Sequence, residues 1–139
     1  MVVARILVVD DEENQVRVLA MGLRVDGFDV VAAHSADEAM AALAADEEIQ
    51  LGLFDLMMPG VNGLELARAV RARHPHVRVV LTSAYHLSER QLARADCGVV
   101  GFVPKPYELN ELAAFLRAKL APPASQTNIL GAAAGSRLA

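Results

Sequence analysis

Residues 6–11 read Ile6-Leu7-Val8-Val9-Asp10-Asp11: four branched aliphatic side chains in a row, then two carboxylates with nothing between. A short continuous apolar run of this kind marks a strand buried on both faces, because a strand with one wet face would alternate apolar and polar residues. The break to Asp10-Asp11 therefore marks the strand's carboxyl end. Residues 12–26 follow with Val16, Leu19, Ala20 and Leu23 along one stripe, the spacing of an amphipathic helix, and Gly27 ends it.

The same grammar repeats outward from that stretch. Strands are predicted over 28–33, 51–54, 77–81 and 99–103, and helices over 36–45, 64–74, 88–96 and 107–120. The turn Met58-Pro59-Gly60-Val61-Asn62-Gly63 separates the third strand from the third helix. Five strands alternating with five helices at short spacing predict an open parallel sheet covered on both faces, a three-layer α/β/α domain over residues 1–120. Beyond Leu120 the pair Pro122-Pro123 stops the helix and small polar residues follow. Residues 121–139 are therefore expected to form a flexible tail with no effector domain, the alternative being a docking peptide built on Ile129-Leu130.

Composition narrows the function classes. A chain of 139 residues has room for one ordinary core, and 54% hydrophobic against 22% charged residues is a globular balance. The net charge of −4 gives no basic footprint for a nucleic-acid backbone, so direct DNA binding is not expected. One cysteine, Cys97, excludes a disulfide framework and a cysteine-rich zinc site and reads as a structural thiol. His34, His74, His76 and His86 lack metal-ligand spacing, and Asp26, Asp29, Asp37, Asp46, Glu47 and Glu48 read as solvated surface. The first residues carry no signal-peptide pattern and no stretch approaches ~18 uninterrupted apolar residues, so a soluble, cytoplasmic protein is expected, with no membrane contact.

In an open parallel sheet, ligands bind beyond the carboxyl ends of the strands, so the residues that close each apolar run are the informative ones. Strand one closes on Asp10-Asp11, strand three on Asp55, strand four on Thr82, and strand five on Lys105-Pro106. Singly each has an ordinary reading: a helix cap for either of the first two, a turn former for Asp55, a β-branched strand residue for Thr82, a solvated charge for Lys105. If strand one lies beside three, then four, then five, neighbouring ends stand about 4.8 Å apart and these side chains share one pocket. Two carboxylates ~4 Å apart repel by about 4 kcal/mol at an effective dielectric of 20, so three gathered there need a cation. A few hard oxygen donors suit Mg²⁺, with Mn²⁺ the alternative, better than other transition metals.

Asp10-Asp11, Asp55-Leu56-Met57-Met58-Pro59-Gly60 with Asn62-Gly63, Thr82-Ser83-Ala84-Tyr85, and Phe102-Val103-Pro104-Lys105-Pro106-Tyr107 together resemble the receiver domain of two-component response regulators, over about residues 4 to 120. The resemblance implies a flavodoxin-like fold with strand order 2-1-3-4-5. It implies that Asp55 attacks the phosphorus of a phosphohistidine on a sensor histidine kinase or phosphotransfer protein, or of a small phosphodonor, giving an acyl phosphate. Asp11, Asp55 and the Met57 backbone carbonyl would bind Mg²⁺ directly, with Asp10 acting through a bound water. Lys105, preceding a cis proline bond, would neutralise phosphoryl oxygens, and Thr82 would offer its hydroxyl to the attached group. Thr82 and Phe102 would form the switch, the ring turning inward as Thr82 moves; phenylalanine has no hydroxyl for a hydrogen-bonded readout.

Two further expectations follow from the resemblance. Met57 and Ala84, each two residues beyond a site residue, would face the attacking water without being able to orient it, so self-dephosphorylation should be slow. Asn14, Gln15, Val18, Met21 and Gly22 share one helix face, which would either dock the kinase's helical hairpin or simply broaden the core.

Rival functions differ in testable residues. A Mg²⁺-dependent phosphatase using an aspartyl phosphate would carry Asp-x-Asp at the end of strand one, where this chain has adjacent Asp10-Asp11. A degenerate receiver acting as a binding module would lack part of the site, and here every expected residue is present. The output remains open among a relay intermediate, a free-standing regulator acting on a downstream protein through the fourth helix, fifth strand and fifth helix, and a phosphate sink. The protein is expected to be a monomer or a homodimer formed on activation.

Overall fold

The computed structural model describes residues 3–84, 88, 90–91, 98–120 and 128–129. Its elements are β1 (Arg5–Val9), α1 (Glu13–Val25), β2 (Asp29–Ala33), α2 (Ala36–Ala45), β3 (Ile49–Asp55), α3 (Gly63–Arg73), β4 (Arg78–Ser83), β5 (Val99–Pro104), α4 (Leu109–Leu120) and β6 (Asn128–Ile129). The strands lie in the order β2-β1-β3-β4-β5-β6, every neighbouring pair parallel. The predicted five-stranded sheet in the order 2-1-3-4-5 is thus present. It is extended at the β5 edge by two residues from the segment expected to be a flexible tail; a pair of residues is too short to carry a periodic signal. The helix predicted over 88–96 falls almost wholly outside the described residues, which contain four helices.

Alternation along the strands divides the core into two layers. Leu7, Val9, Phe54, Leu81 and Phe102 face α2 and α3, packing on Leu43, Leu66 and Val70. Ile6, Val8, Leu53, Val80 and Val103 face α1 and α4, packing on Val16, Leu23, Leu112 and Leu116. Each fully buried aliphatic side chain contributes roughly 1.5–3 kcal/mol, and both faces of the sheet receive such cover, as the uninterrupted apolar runs require.

Local chemistry sets the helix starts. Ser35 accepts the Glu38 N–H at the start of α2, and Asn62 with Glu65 forms a reciprocal capping box at the start of α3. α1 has no side-chain cap from its own N-cap residue, Glu12; instead Asp10 Oδ1 accepts the Glu12 N–H at 2.9 Å. Asp10 is therefore not the helix cap considered from sequence: the N-cap position is Glu12, and the Asp10 carboxylate closes a turn just before the helix.

At the opposite end of the sheet the reading of Asp29, Asp46 and Glu48 as featureless surface needs correction. The Arg5 guanidinium gathers them at 2.7, 2.9 and 3.3 Å, which raises the Arg5 pKa through its hydrogen bonds to Asp29 and Asp46. This ties the starts of β1 and β2 to the α2–β3 connection.

Candidate functional site: a carboxylate cluster at the sheet's carboxyl edge

The parallel register brings the strand ends level. Asp55 lies opposite Thr82, Thr82 opposite Val103, and Val9, which precedes Asp10, opposite Phe54. The connections leave the sheet under backbone restraint: Leu56 N–H donates to Thr82 O and Lys105 N–H to Ser83 O, both at 2.8 Å. The Lys105-Pro106 bond is cis, as the resemblance implied. Gly63 lets the start of α3 fold back over the end of β3, since a Cβ there would stand 2.6 Å from the Asp55 carbonyl oxygen and 2.9 Å from Leu56 Cα.

Asp10 and Asp55 are buried at 6% and 7% exposure, while Asp11 is exposed at the rim. One carboxylate oxygen from each lies within 4.8 Å of the others. Against these three potential negative charges stands one ammonium, Lys105 Nζ, 3.3 Å from Asp10 Oδ2 and 3.9 Å from Asp55 Oδ2. Burial pushes the Asp55 carboxyl up to about 6, against the attraction of Lys105 and with further upward pressure from Asp10 and Asp11. The Met57 N–H, donated to Asp55 Oδ1 at 3.2 Å, favours the ionised form. A crowded, under-neutralised set of oxygen donors fits a hard divalent cation, and the acidic pocket of Asp10, Asp11 and Asp55 is compatible with one.

Thr82 is buried and donates its hydroxyl to Val103 O at 2.8 Å. Phe102 is fully buried in the layer facing α2 and α3. Met57, whose N–H meets the Asp55 carboxylate, is 53% exposed, and Ala84 is exposed just after β4.

Two participants were not foreseen at the pocket. Gln15, read from sequence only as part of a helix face, accepts from Lys105 Nζ at 3.0 Å. Tyr107 brings a phenol whose pKa is raised by burial and by the nearby Asp10 and Asp55. The signal for Gln15 was its place one helical turn beyond Asp11; the lysine rotamer that meets it is invisible in sequence. Beside this corner a cavity of about 640 Å³ opens between α1 and the β5–α4 connection, lined by Gln15, Val18, Leu19, Lys105, Tyr107 and Leu109. Val18 and Met21 are 69% and 59% exposed on that side of α1. Gly22 serves packing instead: a Cβ there would collide with Leu109 of α4.

Among the described residues no helix is long and apolar enough to cross a membrane. Comparison with known proteins accounts for the constellation. The chain is 40% identical over 117 residues to response regulator MprA of Mycobacterium avium, covering 84% of this chain and 50% of that one. It is 35% identical over 116 residues to transcriptional regulatory protein CpxR of Escherichia coli, covering 84% and 49%. The chain spans about half the length of the curated relatives it matches. Among solved structures, the response regulator protein TrrA of Thermotoga maritima superposes with a TM-score of 0.73 at 30% identity, covering 84% of this chain and 98% of that one. The model of the response regulator receiver domain matches residues 6–117, which carry the whole sheet-edge cluster, and the chain accordingly belongs to the receiver-domain family of two-component response regulators.

Proposed function

We propose that Asp55 is the phosphoacceptor of a phosphorylation-dependent signalling switch. The observation that carries the reading is the environment of that one carboxylate: buried at the end of β3, clustered with Asp10 and Asp11, and faced by the Lys105 ammonium. An Asp55 oxygen attacks phosphorus, the P–O bond forms as the bond to the donor breaks, and a phosphohistidine donor leaves with the electron pair on its imidazole nitrogen. Lys105 then lies within a side-chain adjustment of the new phosphoryl oxygens. Asp10, Asp11, Asp55 and the Met57 backbone carbonyl are the residues assigned to hold Mg²⁺, which supplies positive charge against those oxygens. The TrrA structure is described as a complex with Mg²⁺ and a beryllium fluoride, which supports the choice of ion.

Thr82 is the proposed switch residue. To meet a phosphoryl oxygen its hydroxyl must leave the Val103 carbonyl, which strips a buried acceptor on β5 next to Phe102. The phosphodonor is a sensor histidine kinase or histidine phosphotransfer protein, seated on the exposed part of α1 around Val18 and Met21 and on the neighbouring cavity. The signal then passes to a downstream protein.

The test is intact-mass measurement after incubation with Mg²⁺ and a small acyl phosphate. A phosphoryl adduct is expected on the wild type and is expected to be absent from Asp55→Asn and from a chelated control. An adduct that persists in Asp55→Asn would remove Asp55 from the role.

A further inference from the structure

Four hydrogen bonds close a ring at the mouth of the pocket. Asp10 Oδ1 accepts the Glu12 N–H at 2.9 Å, Glu12 Oε2 accepts Gln15 Nε2 at 3.2 Å, Gln15 Oε1 accepts Lys105 Nζ at 3.0 Å, and Lys105 Nζ returns to Asp10 Oδ2 at 3.3 Å. Only one orientation of the Gln15 amide satisfies both neighbours, because a carboxylate can only accept and an ammonium can only donate. Asp55 lies outside the ring, its Oδ2 at 3.9 Å from the ammonium and beyond hydrogen-bond reach.

The shortest contact of the lysine head is thus to an uncharged amide on α1, although the carboxylate proposed to react lies nearby. Lysine presents three donors on a flexible stem, so it settles where acceptors surround it, and the ring supplies two of them at 3.0 and 3.3 Å, nearer than Asp55 Oδ2 at 3.9 Å. A phosphoryl group on Asp55 would draw that head toward it, against the hold of the Gln15 contact on the α1 side.

We infer that Gln15 is a positioning residue that holds Lys105 on the α1 side of the pocket and so restrains phosphorylation of Asp55 in the resting protein. The inference rests on the reading of Asp55 as phosphoacceptor and adds a restraint that the carboxylate cluster alone does not contain. Gln15 is exposed on α1, so its substitution leaves the core untouched.

Gln15→Leu removes the acceptor at similar size, and Gln15→Glu keeps an acceptor and adds charge. The first readout is the ammonium nitrogen–proton signal of Lys105 in the metal-free protein at low temperature, which the ring protects from exchange with water. The second is the rate of Asp55 labelling by acetyl phosphate with Mg²⁺. Gln15→Leu should lose the protected signal and label about fivefold faster, the worth of one solvent-exposed hydrogen bond. Gln15→Glu should retain the signal and label more slowly than wild type. A wild type that labels at Asp55, with Gln15→Leu matching it in both signal and rate, overturns the inference alone. A wild type that does not label at all overturns it together with the phosphoacceptor reading.

Discussion

As the proposed phosphoacceptor, Asp55 would have to be buried enough to exclude water from an acyl phosphate and ionised enough to attack phosphorus. The structure resolves these demands in favour of burial, leaving the carboxyl raised from its ordinary 3.8 to about 6. The folded protein therefore binds this proton more tightly than the unfolded chain does, so the associated stability is present in full below pH ~4 and is lost as pH rises through about 6. Each pKa step is about 1.4 kcal/mol, and water at the pocket mouth screens part of the total, leaving on the order of 1–2 kcal/mol. In chelator at pH 7.5, Asp55→Asn should exceed wild type by that amount in urea unfolding, and the gap should close near pH 4. A gap independent of pH would mean that Asp55 is not the strained group.

The neighbours of Asp55 predict a second outcome. Neither the Met57 thioether nor the Ala84 methyl can orient a water, so Met57→Asn with Ala84→Glu should speed decay of the phosphorylated form on the order of tenfold, followed by loss of the adduct mass over time. At this scale the sequence was legible wherever a polar residue closed an apolar run: Asp10, Asp11, Asp55, Thr82 and Lys105 all reach the sheet's carboxyl edge. It was opaque where a contact depends on a rotamer, as for the link from Gln15 to Lys105.

Elements place these residues through their junctions more than through their interiors. The β3–α3 junction is tight, because Gly63 lies against the peptide of Asp55 and its N–H donates to Leu56 O at 3.0 Å. Gly63→Ala should cost about 1–3 kcal/mol in urea unfolding, since backbone and not a pliable side chain must give way. The same displacement should slow Asp55 labelling; unchanged stability and labelling would show that α3 is free to shift. Strand and helix existence was legible from periodicity, while boundaries were less so. β3 starts at Ile49, before the predicted 51–54, because the buried Ile49 and exposed Gln50 form an alternating lead-in that a search for a continuous apolar run passes over. α1 begins without a side-chain cap from Glu12, whose N–H is instead held by Asp10 in the turn before the helix.

The whole molecule is an asymmetric sheet: two helices on each described face, the chemistry along one edge, and the Arg5 cluster at the other. The three-layer arrangement followed from uninterrupted apolar strands, which require cover on both sides. β6 did not, since its identity as a strand comes only from pairing Asn128 with Gly101 and Ile129 with Phe102. Placing proline at both 128 and 129 should abolish that pairing, seen as faster amide exchange along Val99–Pro104 and as a rise in mass with concentration by light scattering. Unchanged exchange and mass would mean that β6 contributes nothing to the edge. The pairing matters for how many further chains the sheet can accept. Without it, β5 would offer six residues of unmatched backbone on that side to any extended segment it met, and a growing stack could start there; with it, the middle of that run is already taken at Gly101 and Phe102, and among the described residues the outermost rung is two residues long, a short foothold for the next one.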